Sequence, residues 1–218
     1  MHKQDTKQDT IIERLKEDGY YILPAHYTIT AEMIDVAGKL MNFPGYVCGN
    51  HYKTDNVKNI PVELHKVVYS DELQELFGAL CENIVCQDVM MTHEYKNDEI
   101  ARNNWLHLDR LRCWKALVYL TDVEKGCGPF SVVPKSHKTG YQLRQAFINA
   151  PSYEEKRNRI KLDYPELYEE PTPLYGPAGT LILFDSDIFH WGGKVETGNE
   201  RKLIRSHWYP NFQWRVKS

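Results

Sequence analysis

The chain holds little cysteine and no ordered arrangement of it. Its five cysteines, Cys48, Cys81, Cys86, Cys113 and Cys127, are odd in number and irregularly spaced. No Cys-x-x-Cys pair occurs, which argues against a zinc ribbon or a disulfide scaffold and for reduced thiols inside a cell. No apolar run approaches the roughly 20 residues needed to cross a bilayer. The first ten residues are polar, without the apolar core of a secretory leader. A basic surplus is also missing: 27 Lys and Arg stand against 30 Asp and Glu, a formal net charge of −3. Binding to nucleic acid or to an anionic membrane is therefore not expected. There is no glycine-rich phosphate loop, no Gly-x-Ser-x-Gly elbow, no internal repeat and no low-complexity tract. The expectation is a cytoplasmic protein acting on a small molecule, with an oligomeric state that the sequence leaves open.

A length of 218 residues, 42% hydrophobic and 26% charged, suits one domain over 1–218 with a core of its own. In residues 10–19, Ile11, Ile12 and Leu15 share a helical face and Gly19 supplies a stop. Tyr20-Tyr-Ile-Leu-Pro24 reads as a short strand, and Thr30 as the N-cap of a helix over 31–41. Residues 42–63, rich in Gly, Asn, Pro and Tyr, read as a long loop, and 71–86 as a third helix. Short apolar stretches then recur at 85–95, 114–120, 130–133, 180–184 and 203–209, separated by turn signals. Helices first and strands afterwards predict an α+β chain, with a helical part at about 10–83 and a sheet or barrel at about 84–214. A polar insert at about 141–170 interrupts the strands, and 152–161 reads as a surface helix. The 42–63 loop and the insert are candidate lids.

The chemistry concentrates in Asn103-Asn-Trp-Leu-His-Leu-Asp-Arg110. Residues i and i+2 of a strand point the same way, so His107 and Asp109 can approach one metal ion together. His190, closing Gly179-Thr-Leu-Ile-Leu-Phe-Asp-Ser-Asp-Ile-Phe-His190, is the candidate third ligand. Two imidazoles and a carboxylate on one side of an ion leave positions open, the arrangement suited to non-haem Fe(II). Arg201 follows eleven residues later, after the turn at Gly198-Asn199. Its planar fork can grip a carboxylate through parallel hydrogen bonds, such as the distal carboxylate of 2-oxoglutarate. Two other readings stay open: a non-catalytic cupin-like binding protein, and a metal enzyme using dioxygen without a keto acid.

These residues resemble the phytanoyl-CoA dioxygenase (PhyH-like) family of Fe(II)/2-oxoglutarate oxygenases. Glu17-Asp-Gly-Tyr-Tyr-Ile-Leu-Pro24 is similar to the family's opening, and Trp105-Leu-His-Leu-Asp109 to its metal motif. Tyr119-Leu-Thr-Asp-Val123 and Gly128-Pro-Phe-Ser-Val-Val-Pro-Lys-Ser-His137 resemble its next strands, and Gly176-Pro-Ala-Gly-Thr-Leu-Ile-Leu-Phe-Asp185 its last portion. The resemblance implies a double-stranded β-helix (jelly-roll, cupin-like) barrel with flanking N-terminal helices. It implies Fe(II) held by His107, Asp109 and His190, and 2-oxoglutarate held by Arg201. It implies an oxygenase that consumes O2, releases succinate and CO2, and hydroxylates an unactivated C–H bond, with desaturation or cyclisation as other outcomes. Two departures concern co-substrate contact: Gly192 stands where members often carry a small hydroxyl residue, and Pro134-Lys-Ser-His137 where Pro-Gly-Ser-His is common. Asp109 is intact, unlike the Gly or Ala of related halogenases.

Strand alternation nominates further residues. Leu203, Arg205 and His207 share the face of Arg201, and a buried Arg205 is costly unless it meets an ion-pair partner or an anionic ligand. Lys115, Leu117 and Tyr119 share a face. By position Leu117 resembles a family residue of the 2-oxoglutarate pocket, and Lys115 is a candidate contact beside it. Trp105, His93 and Trp191 are candidate substrate contacts, while His137 reads as structural.

Overall fold

The computed structural model describes residues 3–46, 49–95, 105–149, 159–162 and 169–210. Residues 152–158 of the expected surface helix and much of the 141–170 insert lie outside these residues; the last part of that expectation is corrected, since 159–161 pair as a strand with 107–109. The described strands form two antiparallel sheets flanked by helices, an α+β double-stranded β-helix.

Helix α1 (Lys3–Asp18) buries Ile11 and Leu15, and Gly19 ends it at a positive φ of 82°, returning its N–H to the Leu15 carbonyl. Strand β1 (Tyr20–Leu23) follows directly. Helix α2 (Ala31–Leu40) opens on Thr30, whose side chain accepts the Met33 N–H at 3.3 Å. The expected long loop at 42–63 is corrected: it contains β2 (Phe43–Tyr46) and β3 (Gly49–Thr54) at the sheet edge. An edge strand tolerates proline and a bulge, which is why Pro44 and the register shift after it are compatible with pairing. A second correction concerns 71–86. Helix α3 (Val62–Val68) precedes α4 (Asp71–Leu80), and Cys86 already belongs to β4 (Ile84–Glu94). Asn83, at a φ of 55°, makes the break between helix and strand.

Then come β5 (His107–Asp109), β6 (Trp114–Tyr119), β7 (Phe130–Val132), α5 (His137–Ile148), β8 (Arg159–Lys161), β9 (Thr172–Leu174), β10 (Leu181–Asp185), β11 (His190–Gly192) and β12 (Arg201–Pro210). The larger sheet has seven strands in the order β1-β10-β6-β12-β4-β3-β2, and the smaller has five, β8-β5-β11-β7-β9. Alternation explains the layers. In β6, Ala116 and Val118 face the helices with Leu15, Leu64 and Phe77, while Leu117 and Tyr119 face the smaller sheet with Phe130 and Val132. All six β6 residues are buried, because both faces of the strand are covered, and apart from Lys115 they are apolar or aromatic. The Tyr119 hydroxyl ties the sheets together, donating to the Leu174 carbonyl at 2.8 Å and accepting the Phe130 N–H at 3.0 Å. No helix among the described residues is long and apolar enough to cross a membrane.

The turn between β10 and β11 is fastened to α5. Arg144 grips Asp187 with Nε to Oδ1 at 2.6 Å and Nη2 to Oδ2 at 3.0 Å, both residues buried. At Gly140 a Cβ would meet the Asp187 carbonyl oxygen at 1.8 Å, so only glycine allows the helix this close. His137, at the start of α5, bonds the Lys16 carbonyl at 3.2 Å, a structural tie to α1. Arg144→Leu leaves the buried Asp187 carboxylate only Arg112, whose Nε lies 3.4 Å away, and is expected to cost about 1.5–3 kcal/mol in urea unfolding. A loss below about 1 kcal/mol would show that the pair does not hold this turn.

Candidate metal centre

His107 and His190 are directly opposite residues of the antiparallel pair β5–β11. Their rings lie 4.4 Å apart between centroids, and both residues are buried. Asp109, two residues along β5, turns its carboxylate to the same side, 3.7 Å from His190 Nε2. One ligand atom from each of the three residues falls within a group no wider than 4.8 Å. Each imidazole is oriented by the carbonyl two residues before it: Nδ1 of His107 bonds Trp105 O at 2.9 Å, and Nδ1 of His190 bonds Ile188 O at 2.7 Å. A carbonyl only accepts, so in the neutral ring each Nδ1 keeps its proton and each Nε2 presents a lone pair to the cluster. Two nitrogens and a carboxylate, borne by one sheet face, suit a hard-to-borderline divalent ion with open positions. The donor set thus fits iron.

Asp109 is placed by backbone and side chain alike. Its N–H donates to the Ser186 carbonyl at 3.1 Å, and Ser186 in turn bonds Cys113 through both N–H and Oγ. Lys115 Nζ donates to Asp109 Oδ2 and lies 5.6 Å from the Phe184 ring. Phe130 and Phe184 stand 5.6 and 5.4 Å from the His190 ring, a dry wall beside the cluster.

A cleft opens from the two histidines over the inner face of the larger sheet, reaching Leu117, Gly192, Arg201 and Arg205. Cross-strand pairing of β12 with β4 matches its charges. Arg201 faces Glu94 and bonds it, and His207 faces Asp88 and bonds it. Arg205 faces Met90 instead. Of the residues nominated from the sequence, Arg201, Leu117 and Arg205 line this cleft, while Lys115 sits on Asp109. Trp105 packs edge-on to His107 at 5.2 Å. His93 bonds Glu200 at 2.7 Å, with its neighbour Glu94 facing the cleft. Trp191 is half-buried between the cleft residues His190 and Gly192, and its Nε1 has no acceptor among the described residues. Arg112 bonds Asp185 at 2.9 Å and lies 3.4 Å from Asp187. Glu94, Thr92, Asp88 and Ser186 escaped the sequence reading, since only the strand register reveals them.

Residues 49–203 match the phytanoyl-CoA dioxygenase (PhyH) family. Comparison with curated protein sequences found no match. Among solved structures, the epimerase SnoN, in complex with Fe3+, alpha ketoglutarate and nogalamycin RO, is similar at a TM-score of 0.66 and 15% identity, covering 94% of this chain and 84% of that one. HygX from Streptomyces hygroscopicus, with nickel and 2-oxoglutarate bound, is similar at 0.65 and 15%, covering 93% and 87%. AviO1 from Streptomyces viridochromogenes Tue57 is similar at 0.62 and 14%, covering 94% and 95%.

His207, two residues beyond Arg205 of the cleft, gives the fold a pH signature. Burial, then the charge of Lys115, lowers its pKa to about 4, against the opposing pull of Asp88. The Asp88 carboxyl is pushed up by burial, but the His207 hydrogen bond and the His207, Lys53 and Lys115 charges outweigh this and hold it low. Between the ordinary histidine value of 6.5 and about 4, the unfolded chain takes up a proton that the folded one refuses. Stability is therefore lost as pH falls through this window, of the order of 3 kcal/mol. His207→Gln is expected to flatten the stability-versus-pH curve over that window, measured by urea unfolding. An unchanged slope would count against a neutral buried His207.

Proposed function

The chain belongs to the phytanoyl-CoA dioxygenase family of Fe(II)/2-oxoglutarate oxygenases, and from that premise we propose that it hydroxylates an unactivated C–H bond of a small metabolite or biosynthetic intermediate. The convergence of His107, Asp109 and His190 within 4.8 Å, at the end of the cleft that contains Arg201, is the observation that carries this reading. One domain over 1–218, in the cytoplasm, serves the reaction.

Nε2 of His107, Nε2 of His190 and an Asp109 carboxylate oxygen would hold iron. Iron with 2-oxoglutarate and dioxygen supplies the power to take hydrogen from an unactivated carbon, the keto acid leaving as succinate and CO2. The protein's own part is placement. The Trp105 and Ile188 carbonyls keep both imidazoles in the metal-binding tautomer. Lys115 holds Asp109 Oδ2, which fixes the carboxylate's rotation. Arg201 receives the distal carboxylate of 2-oxoglutarate. Glu94 already bonds its Nη2, and the five donors of a guanidinium exceed what one carboxylate uses. Glu94 also offsets the cost of burying that charge, since Arg201 is 1% exposed. Leu117 and Leu203 cover the chain of the keto acid, and Phe130 and Phe184 exclude water from the side of His190. Gly192 removes the side chain that would otherwise flank the keto acid, which gives that end of the cleft more room.

Structural neighbours that bind small molecules support a small-molecule substrate: SnoN was solved with nogalamycin RO and HygX with hygromycin B. SnoN is an epimerase, so inversion at a C–H carbon, in which an external reductant would have to supply the hydrogen that returns, is a second outcome to screen for at the same site.

Screening the iron-loaded protein for 2-oxoglutarate-dependent succinate release over a metabolite panel tests the reading. Asp109→Ala, made with Lys115→Met so that no ammonium is stranded, is expected to abolish release while the thermal midpoint stays within a few degrees; normal turnover would remove Asp109 from the site. Arg201→Ala, made with Glu94→Gln so that no carboxylate is stranded, is expected to raise the 2-oxoglutarate requirement at least about tenfold. An unchanged requirement would favour a metal enzyme that needs no keto acid.

A further inference from the structure

The inner face of β12 presents Arg201, Arg205 and His207 to β4, and the sheet answers them unequally. Glu94 stands opposite Arg201 and Asp88 opposite His207, each bonded to its partner. Opposite Arg205 stands a thioether. Arg205 Nη2 lies 2.9 Å from Met90 Sδ, its neighbour on the other side is Leu117, and its Nε is buried without an acceptor. Among the described residues no carboxylate pairs with it. A thioether is a weak acceptor, so this guanidinium keeps its charge at the edge of a cleft with little to offset the loss of water. A structural arginine would be expected to carry the counter-charge its two neighbours have. An arginine reserved for a ligand would not.

Resting on the reading above, we propose that Arg205 is an oxyanion subsite and that the substrate presents a carboxylate or phosphate to it. Counting charges assigns the oxyanion to the substrate. 2-Oxoglutarate has one carboxylate to place beside its keto oxygen at the metal and one on Arg201, and none remains for Arg205. The two arginines are four residues apart on one strand, anchored roughly 13 Å from each other, so they serve different ends of the cleft. The subsite selects acids or phosphate esters over neutral molecules of the same shape, because a neutral group there would displace water from the half-buried guanidinium without matching its charge.

The test uses the full chain loaded with Ni(II), which is redox-inert, and the variant Arg205→Met. Without ligand, the variant is expected to melt at or above the wild-type temperature, since it removes an uncompensated charge. A midpoint lower by more than a few degrees would make Arg205 structural and overturn the proposal. Inorganic phosphate is the probe: it should raise the wild-type midpoint and bind the variant at least about tenfold more weakly. An equal response in both proteins overturns the subsite. Calorimetric titration with 2-oxoglutarate separates the two sources of oxyanion. A Kd unchanged within about twofold leaves Arg205 to the substrate, whereas a tenfold rise gives it to the co-substrate and overturns the substrate claim. If the wild type with Ni(II) binds no 2-oxoglutarate, the oxygenase reading falls and the substrate assignment with it, while the phosphate titration still decides the subsite.

Discussion

Lone pairs do not gather by themselves. A carboxylate oxygen 3.7 Å from an imidazole Nε2, with a second imidazole beside it, is an arrangement of acceptors that water alone would disperse. Here the fold enforces it from behind. Two backbone carbonyls hold the Nδ1 protons, the Ser186 carbonyl holds the Asp109 N–H, and one strand pair places His107 opposite His190. The cleft, the hydrophobic wall and the charged ladder of β12 are all arranged relative to that small group. A divalent cation is the species whose presence turns such mutual repulsion into attraction.

Rigidity behind the site comes from its two connections. The segment from Asp109 to Trp114 is stitched to the β10–β11 turn through Ser186, and that turn is fastened to α5 through Asp187 and Arg144. The two halves of the ligand set, 81 residues apart in sequence between Asp109 and His190, thus share one hydrogen-bonded block. Side chains held this way lose little entropy on ligand binding, the condition for a preorganised centre.

Much of this was legible in the sequence where a local rule sufficed. Period-two alternation put His107 and Asp109 on one side and Arg201 and Arg205 on another, and Thr30 and Gly19 announced the ends of helices. What stayed hidden depended on register between distant strands. Nothing near Arg201 announces Glu94, and nothing near Arg205 announces Met90, because each pairing joins residues more than 100 positions apart. Residues 42–63 misled for a related reason. Turn-forming composition also describes an edge strand, and only the neighbour β4 decides that β3 pairs. Lys115 read as a candidate ligand contact by its parity; its bond to Asp109 stayed hidden, because the bend between β5 and β6 brings the two together.

The central claim is that these three side chains and Arg201 form one site for an iron-chelated keto acid. A crystal structure determined anaerobically with Fe(II) and 2-oxoglutarate addresses it most directly. The account predicts iron on Nε2 of His107, Nε2 of His190 and a carboxylate oxygen of Asp109, with the distal carboxylate of 2-oxoglutarate on Arg201. Iron bound elsewhere, or that carboxylate seated away from Arg201, would contradict it.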